Sequence, residues 1–540
     1  MKKLATIIAV GATLAGLVSA APALGATSHH SATTARSAAA PGVGTLKWGA
    51  CNFKQYPDLG PGSPQPGPKV KCAALKVPLD YGDPNGKQIT LEVSMLRHTS
   101  SAQNYNGVML SNPGGPGGES LDLSIYLAPY VPHNVGADYD WVTWDPRGVG
   151  VSKPTLRCQN NYFNAPRRSY DPTSKSLLHY WLKRSKAYAN ACEKNNPALI
   201  QHMTTIDSAK DMNSIREALG VSTVSYYGFS YGTYLGQVFS TLYPSHLKYM
   251  VLDSNVDPRK VWYKANLDQD KAFNRNIQVY FRWVAKYNNI YHLGATRKAV
   301  SARYYSELAS LTKHPKGKLG PDEWIDAFTS AGYYRQTWEE IAHAWHSYAI
   351  NGKPAEMIGE YKSSDGPGDD NEFAVYNAVQ CTDIQWPTKW STWKKDNDAF
   401  NKKYPFLTWS NAWFNAPCLY WHAKPFKPVK INGAATKSVL LIDETLDAAT
   451  PYPGSLEVRK LYPHSSLIAE PGGATHADSL DGDTCVDDQI AAYLQSGKRP
   501  SRKDWNGPDS LCKPIADPVP TGLSDDFAKS KQPSAPAIRW

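Results

Sequence analysis

The pentapeptide Gly228–Phe229–Ser230–Tyr231–Gly232 occurs once in this 540-residue chain, between the apolar run Val224–Tyr227 and the helix-like run Thr233–Leu242. The five residues alone arise easily by chance; their flanks are what constrain the fold. A serine held at a sharp strand-to-helix turn needs small residues two before and two after it, because larger side chains collide in the tight backbone. The helix N-terminus behind Ser230 favours developing negative charge. Ser230 is therefore the candidate nucleophile, set against the plainer reading of a glycine-flanked serine in a turn.

Such a turn belongs at the carboxyl end of a buried strand, and the surrounding pattern supplies one. Gln88–Leu96, Val108–Ser111, Trp141–Trp144, Val224–Tyr227, Tyr249–Leu252, Val439–Ile442 and Ser466–Ala469 read as strands. Thr205–Leu219 reads as a helix with Thr205 as its N-cap, since Met212, Ile215 and Leu219 share one face. Strands alternating with helices predict an α/β fold, a mostly parallel sheet with helices on both faces. Gln88–Leu96 fits an antiparallel opening hairpin. From Pro258 to Lys437 the texture changes to long helical patterns, such as Trp262–Tyr287 and Trp324–Tyr348, rich in Trp and Tyr. That stretch reads as a helical insertion roofing the sheet.

An acyl transfer also needs an oxyanion site, an acid and a base. One oxyanion donor is the N–H after the nucleophile, Tyr231; the other comes from the loop after the third strand. That loop is Asn112–Pro113–Gly114–Gly115–Pro116–Gly117–Gly118. Gly115 is the second donor expected, with Gly114 as the alternative. After Val439–Ile442 three carboxylates compete. Asp447 sits in the turn, where it can bend back to a histidine; Asp443 reads as a strand end or turn anchor, and Glu444 as exposed. The last strand leads into Pro471–Gly472–Gly473–Ala474–Thr475–His476, so His476 is the base. His343 and His346, three apart on a helical pattern, lack a carboxylate partner motif and read as a solvated helix face. No cofactor or metal site is expected.

Lys2 and Lys3, the apolar run Leu4–Val18 and small residues at Ser19–Ala21 and Leu24–Ala26 make a secretory signal peptide. No later run reaches about 18 apolar residues, so no membrane insertion is expected. The eight cysteines fall in sequence-adjacent pairs: Cys51 and Cys72, Cys158 and Cys192, Cys381 and Cys418, Cys485 and Cys512. Eight cysteines allow 105 pairings, and the nearest-neighbour set is the one taken here. None forms a C-x-x-C, which leaves structural disulfides in an exported protein. The net charge of +10 is scattered as single residues, so no nucleic-acid stripe is read. The organisation is then a signal peptide (1–26), a leader or pro-segment (27–44), the first part of the core (45–258), a helical cap (259–437), the second part of the core (438–512) and a C-terminal tail (513–540).

Asn112–Gly118, Trp144-Asp-Pro-Arg-Gly-Val-Gly-Val-Ser152, Tyr226-Tyr-Gly-Phe-Ser-Tyr-Gly-Thr-Tyr-Leu-Gly236 and Leu446-Asp-Ala-Ala-Thr-Pro451 together resemble the secreted bacterial tripeptidyl aminopeptidases. These are α/β-hydrolase serine exopeptidases related to the proline iminopeptidases. The resemblance runs from about Cys51 to Cys512. It implies removal of tripeptides from free N-termini of peptides or proteins, under a helical cap inserted before the triad acid. Glu444 and Ala477 stand where relatives more often carry glycine, and Glu119 where a neutral residue is usual. A carboxylate at Glu119 would suit a substrate's α-ammonium, with a loop anchor as the plainer reading; Glu339 and Glu340 in the cap are rivals. Asp145 and Arg147 read as braces of the loop beside the oxyanion site. Trp338 and Trp345 read either as core or as subsite walls. An esterase or lipase with the same triad, or a secreted binding module with an idle Ser230, are the competing readings.

Overall fold

The computed structural model describes residues 41–51 and 70–523. The signal peptide at 1–26, the leader up to residue 40 and the tail from residue 524 lie outside the described residues. Among the described residues, ten strands form one sheet: β1 (Gly49–Ala50), β2 (Val70–Pro78), β3 (Gln88–Leu96), β4 (Gly107–Asn112), β5 (Tyr139–Trp144), β6 (Val224–Phe229), β7 (Leu247–Asp253), β8 (Val439–Glu444), β9 (Ser465–Glu470) and β10 (Ser510–Leu511). Their order across the sheet is β1-β2-β3-β5-β4-β6-β7-β8-β9-β10. The pairs from β1 through β3 to β5 are antiparallel, and every pair from β5 to β10 is parallel. The opening hairpin pairs β3 with β2, a strand not legible in the sequence because Lys71, Lys76 and two alanines dilute its apolar signal.

Alternation along the parallel strands feeds two cores. Val439 and Leu441 of β8 pack with Leu110, Tyr226 and Leu252 on one face. Leu440 and Ile442 pack with Met109, Tyr227 and Val251 on the other. Both faces are covered, so these strands are apolar throughout, and each buried Leu or Val contributes about 1.5–3 kcal/mol. Thr204 caps the helix Thr205–Ala218, one residue earlier than the sequence suggests, its Oγ accepting the Asp207 N–H at 3.1 Å.

The insertion opens with the helix Tyr263–Lys286. The single helix expected over Trp324–Tyr348 is broken into Pro321–Ala327, Thr329–Tyr333 and Trp338–Asn351. Trp324, Phe328, Trp338, Ile341 and Trp345 all enter the same cap core, so the apolar period survives the break and hides it. Trp338 and Trp345 are 1% and 0% exposed, which makes them core and not subsite walls. His346 is likewise buried, its Nδ1 at 2.8 Å from the Tyr291 carbonyl, and not on a solvated face. The helix Asn371–Asp383, in the second half of the insertion, joins the main core through Phe373, Ala374 and Ala378.

All four sequence-adjacent cysteine pairs are bonded. No described helix is long and apolar enough to cross a membrane. Beyond Cys512 the chain runs as a strap over the cap: Trp283 Nε1 donates to the Pro518 carbonyl at 2.8 Å, and Thr521 N–H to Glu339 at 2.6 Å.

Candidate active site

The loop after β4, the turn after β6, the loop after β8 and the loop after β9 all leave the carboxyl edge of the parallel sheet. Ser230 follows β6 with φ 53° and ψ −125°, a conformation that costs a non-glycine residue about 1–3 kcal/mol. The helix Tyr231–Leu242 begins at the next residue, so its N-terminus faces the Ser230 position.

Two consecutive residues at the end of β7 fasten nucleophile and base. The Ser230 N–H donates to the Asp253 carbonyl at 3.1 Å. The Ser254 Oγ accepts the Ala477 N–H at 2.8 Å, and the Asp253 carboxylate accepts the Ser479 N–H at 3.0 Å. The residue after Ser230 is itself held through its ring: the Tyr231 hydroxyl lies 2.9 Å from Thr205 Oγ.

His476 Nδ1 lies 2.7 Å from Asp447 Oδ2. Asp447 also accepts the N–H groups of Ala449 (2.8 Å) and Thr450 (3.0 Å) and the Thr450 hydroxyl (2.8 Å). Burial works to raise this carboxyl, but the charge and hydrogen bond of His476 and the Thr450 donors outweigh it and hold it below the ordinary range. His476 Nε2 is buried and has no hydrogen-bond partner among the described residues. With Nδ1 committed to Asp447, Nε2 is the nitrogen left to take a proton.

The other two candidate acids, the last two residues of β8, do not approach His476 in this way. Asp443 is buried and accepts the Ser455 hydroxyl at 2.5 Å. Glu444, expected to be exposed, is 3% exposed and accepts the Thr475 N–H. Its strand runs one residue pair further than the apolar pattern, and that carries the side chain inward.

The glycine loop closes over the turn. A Cβ on Gly114 (φ 119°) would stand 2.8 Å from the Phe229 carbonyl and 2.9 Å from the Ser230 Cβ. Only glycine allows this approach. Gly115 follows with φ 98°, which leaves both glycines available as the source of the second N–H. Asp145 braces the loop, accepting the N–H groups of Ser120 (3.1 Å) and Val151 (3.0 Å). Arg147 points away from the site and makes a bidentate pair with buried Asp211 at 2.8 and 2.7 Å.

Glu119 is exposed and sits within the electrostatic reach of Arg157. Glu339 is taken by Thr521 of the strap. A different carboxylate belongs to a residue packed on the glycine loop. Glu372 begins the helix Asn371–Asp383, and its backbone packs against Gly117 of the glycine loop, 2.7 Å from where a Cβ would stand. Its side chain meets solvent, yet enough protein surrounds the carboxyl to push it above its ordinary range. Glu372 also acts electrostatically on Tyr333, together with Tyr376 and Asp447.

Tyr333 belongs to the cap, and its ring meets that of His476 edge-on at 5.7 Å. Asn276, also from the cap, donates to the carbonyls of Leu446 (2.8 Å) and Gly332 (3.1 Å). Arg275 donates to the carbonyls of Leu446 and Asp447. The cap therefore grips both the acid loop and the base loop. Nothing in the spacing of Asn276, Tyr333 or Glu372 announces these contacts, which form only when distant segments meet; Thr450 lies in the Leu446–Pro451 motif, but the sequence reading gave it no role.

Residues 107–354 match the α/β hydrolase fold family, and residues 404–507 match the TAP-like protein family. The tripeptidyl aminopeptidase of Streptomyces lividans is 37% identical over 463 residues, covering 84% of this chain and 85% of its own length. The chain belongs to the tripeptidyl aminopeptidase family of α/β-hydrolases. Serine protease Hip1 of Mycobacterium tuberculosis is 26% identical over 452 residues, 79% of this chain and 86% of its own. Among solved structures, the proline iminopeptidase of Mycobacterium smegmatis, 14% identical, aligns over 78% of this chain and 97% of its own with a TM-score of 0.39. The expected α/β-hydrolase fold and hydrolase class are thus those of the chain's family.

Proposed function

We propose that the chain is a secreted serine exopeptidase that releases tripeptides from free N-termini of peptides or proteins. The observation that carries the reading is the His476–Asp447 pair, with Nδ1 committed and Nε2 buried, on a loop fastened beside the strained Ser230 turn. Ser230 Oγ attacks the carbonyl of the third residue as His476 Nε2 takes its proton. Asp447 holds the imidazole tautomer and stabilises the imidazolium. The N–H groups of Tyr231 and Gly115 hold the oxyanion. Collapse expels the shortened peptide's amine, which receives the proton from His476. Water then repeats the sequence on the tripeptidyl ester, frees the tripeptide and restores Ser230.

Counting three residues requires an anion for the substrate's α-ammonium at a fixed distance from Ser230. Three extended residues span roughly 10 Å. Glu372 suits that role better than Glu119, because its backbone packs on Gly117 and its charge acts on Tyr333, whose ring meets His476. Four disulfides agree with secretion.

The test compares a tripeptide p-nitroanilide bearing a free N-terminus with its N-acetylated form, using the enzyme and its Ser230→Ala variant. Release from the free form alone, lost in the variant, is the expected result. Equal cleavage of both forms would move an endopeptidase or esterase ahead. Turnover that survives Ser230→Ala would remove the serine mechanism.

A further inference from the structure

Three carboxylates that take no part in the proposed chemistry sit behind the His476 loop. Glu444 ends β8 and Glu470 ends β9, and the two are directly opposed in the parallel register. Asp478 lies two residues past His476. All three are buried, and one oxygen from each lies within 4.8 Å of the others. Like charges opposed on neighbouring strands destabilise a sheet, and burying them unpaired costs several kcal/mol more.

The protein's own donors meet only part of this demand. The Thr475 N–H donates to Glu444 Oε2. Glu470, 2% exposed, has its Oε1 buried with no N–H or hydroxyl donor among the described residues, and its carboxyl meets that of Asp483. Arg335 is close enough to act on Glu444 and Asp478. Its two terminal nitrogens, however, are tied to the carbonyls of Gly472 and Ile515 and to Asp517, which leaves only Nε. One cation already paired with an aspartate stands against three buried carboxylates.

We propose that Glu444, Glu470 and Asp478 bind a Ca2+ ion that clamps the turn carrying His476. Every donor is a hard carboxylate oxygen, with no imidazole or thiolate, which selects against zinc and the softer metals. Oxygens bound to Ca2+ at about 2.3–2.6 Å stand roughly 3–5 Å apart, and the 4.8 Å spread falls in that range. Mg2+ demands a tighter octahedron at about 2.0–2.1 Å. The following turn, Asp478-Ser-Leu-Asp481-Gly-Asp483, adds two more acids: Asp481 acts on Asp478, and Asp483 on Glu470. Asp487 holds that turn from behind, accepting the N–H groups of Leu480 (2.8 Å) and Gly482 (3.1 Å). The ion would thus engage the chain on both sides of the base, through Asp478 directly and through the Glu444 that receives the Thr475 N–H.

The experiment uses the full chain, stripped with a chelator and titrated with CaCl2 by calorimetry and thermal unfolding. One Ca2+ should bind per chain, with a Tm that climbs with the logarithm of Ca2+ concentration above Kd, and Mg2+ should do far less. Glu470→Gln should lose the saturable heat while keeping the wild-type circular dichroism. If that variant fails to fold, Asp478→Asn carries the same expectation. Absence of heat and of any Ca2+-dependent Tm in the stripped wild type would overturn the site. So would Glu470→Gln binding Ca2+ as the wild type does, or Mg2+ acting as strongly as Ca2+. A Glu470→Gln protein more stable than a Ca2+-indifferent wild type would show that protons alone discharge the cluster.

Discussion

The Tyr333 carbonyl, in the cap, accepts the backbone N–H of His476, on the loop after β9, at 2.9 Å. A cap that only shielded substrate would need no such bond. Here it holds the base by the backbone and the acid loop by Asn276 and Arg275.

Replacing Asn276 by alanine removes the side-chain donor to the Gly332 carbonyl, at about 1–3 kcal/mol, and one of the two donors to the Leu446 carbonyl, which Arg275 still holds. The acid loop should then wander relative to His476. The expected result is a kcat reduced on the order of 10-fold with KM changed much less, because misplacing catalytic groups costs turnover more than binding. Steady-state kinetics on the free tripeptide anilide, with circular dichroism as a folding control, decides it. An unchanged kcat would confine the cap to substrate binding.

Gly114→Ala is the sharper probe of the glycine loop. The new Cβ would meet the Phe229 carbonyl and Ser230 Cβ well inside contact distance, in a backbone conformation alanine resists. The loop must retreat, and it takes the oxyanion donors with it. Loss of one such donor costs roughly 100–1,000-fold in kcat. Activity within about 10-fold of the wild type would mean the loop does not hold the oxyanion.

The parts of the site that the sequence made legible are those that local backbone geometry dictates. Gly228–Gly232, the glycine loop and the Leu446–Pro451 turn each encode a conformation in a few contiguous residues. Each lies where a strand ends, as does the loop that carries His476, and that is enough to put Ser230, Asp447 and His476 at the same edge of the sheet. Glu444 shows the limit: its burial depends on how far β8 pairs with β9, which no short window contains. The broken helix over residues 321–351 shows another, since one continuous apolar face served both sides of the kink. Glu372 was invisible because its place beside Gly117 comes from a helix that belongs to the insertion in sequence but packs into the main core.

Glu372→Gln separates the amine anchor from general binding. Removing the charge while keeping the shape should raise KM for a free-amine tripeptide substrate roughly 10–100-fold, the scale of one hydrogen bond between charged groups. Cleavage of slowly hydrolysed N-acetylated or simple ester substrates should stay level or improve. Glu119→Gln should leave both substrates within about 2-fold, as expected for an exposed side chain. Equal losses on free and acetylated substrates would strip Glu372 of this role, and a selective loss in Glu119→Gln would return it to the loop.

Asp383 gives a stability test with a defined sign. Its carboxylate accepts the Thr205 N–H (2.7 Å) and hydroxyl (2.6 Å) and Trp262 Nε1 (3.1 Å), binding the insertion to the helix whose Thr205 holds the Tyr231 ring. Burial nevertheless pushes it up to about 6, against about 3.9 in an unfolded chain. Between those values the folded protein keeps a proton that the unfolded chain has released. Its contribution is therefore fully present below about pH 4 and is lost as pH rises through about 6. Asp383→Asn cannot titrate, so the stability of the wild type relative to this variant should fall by about 1–3 kcal/mol between pH 4 and 7 and stay flat above. Urea unfolding of both proteins at pH 4, 5.5, 7 and 8 measures the difference. A gap that widens with pH would mean that Asp383 is ionised in the folded protein and that its three donors outweigh its burial.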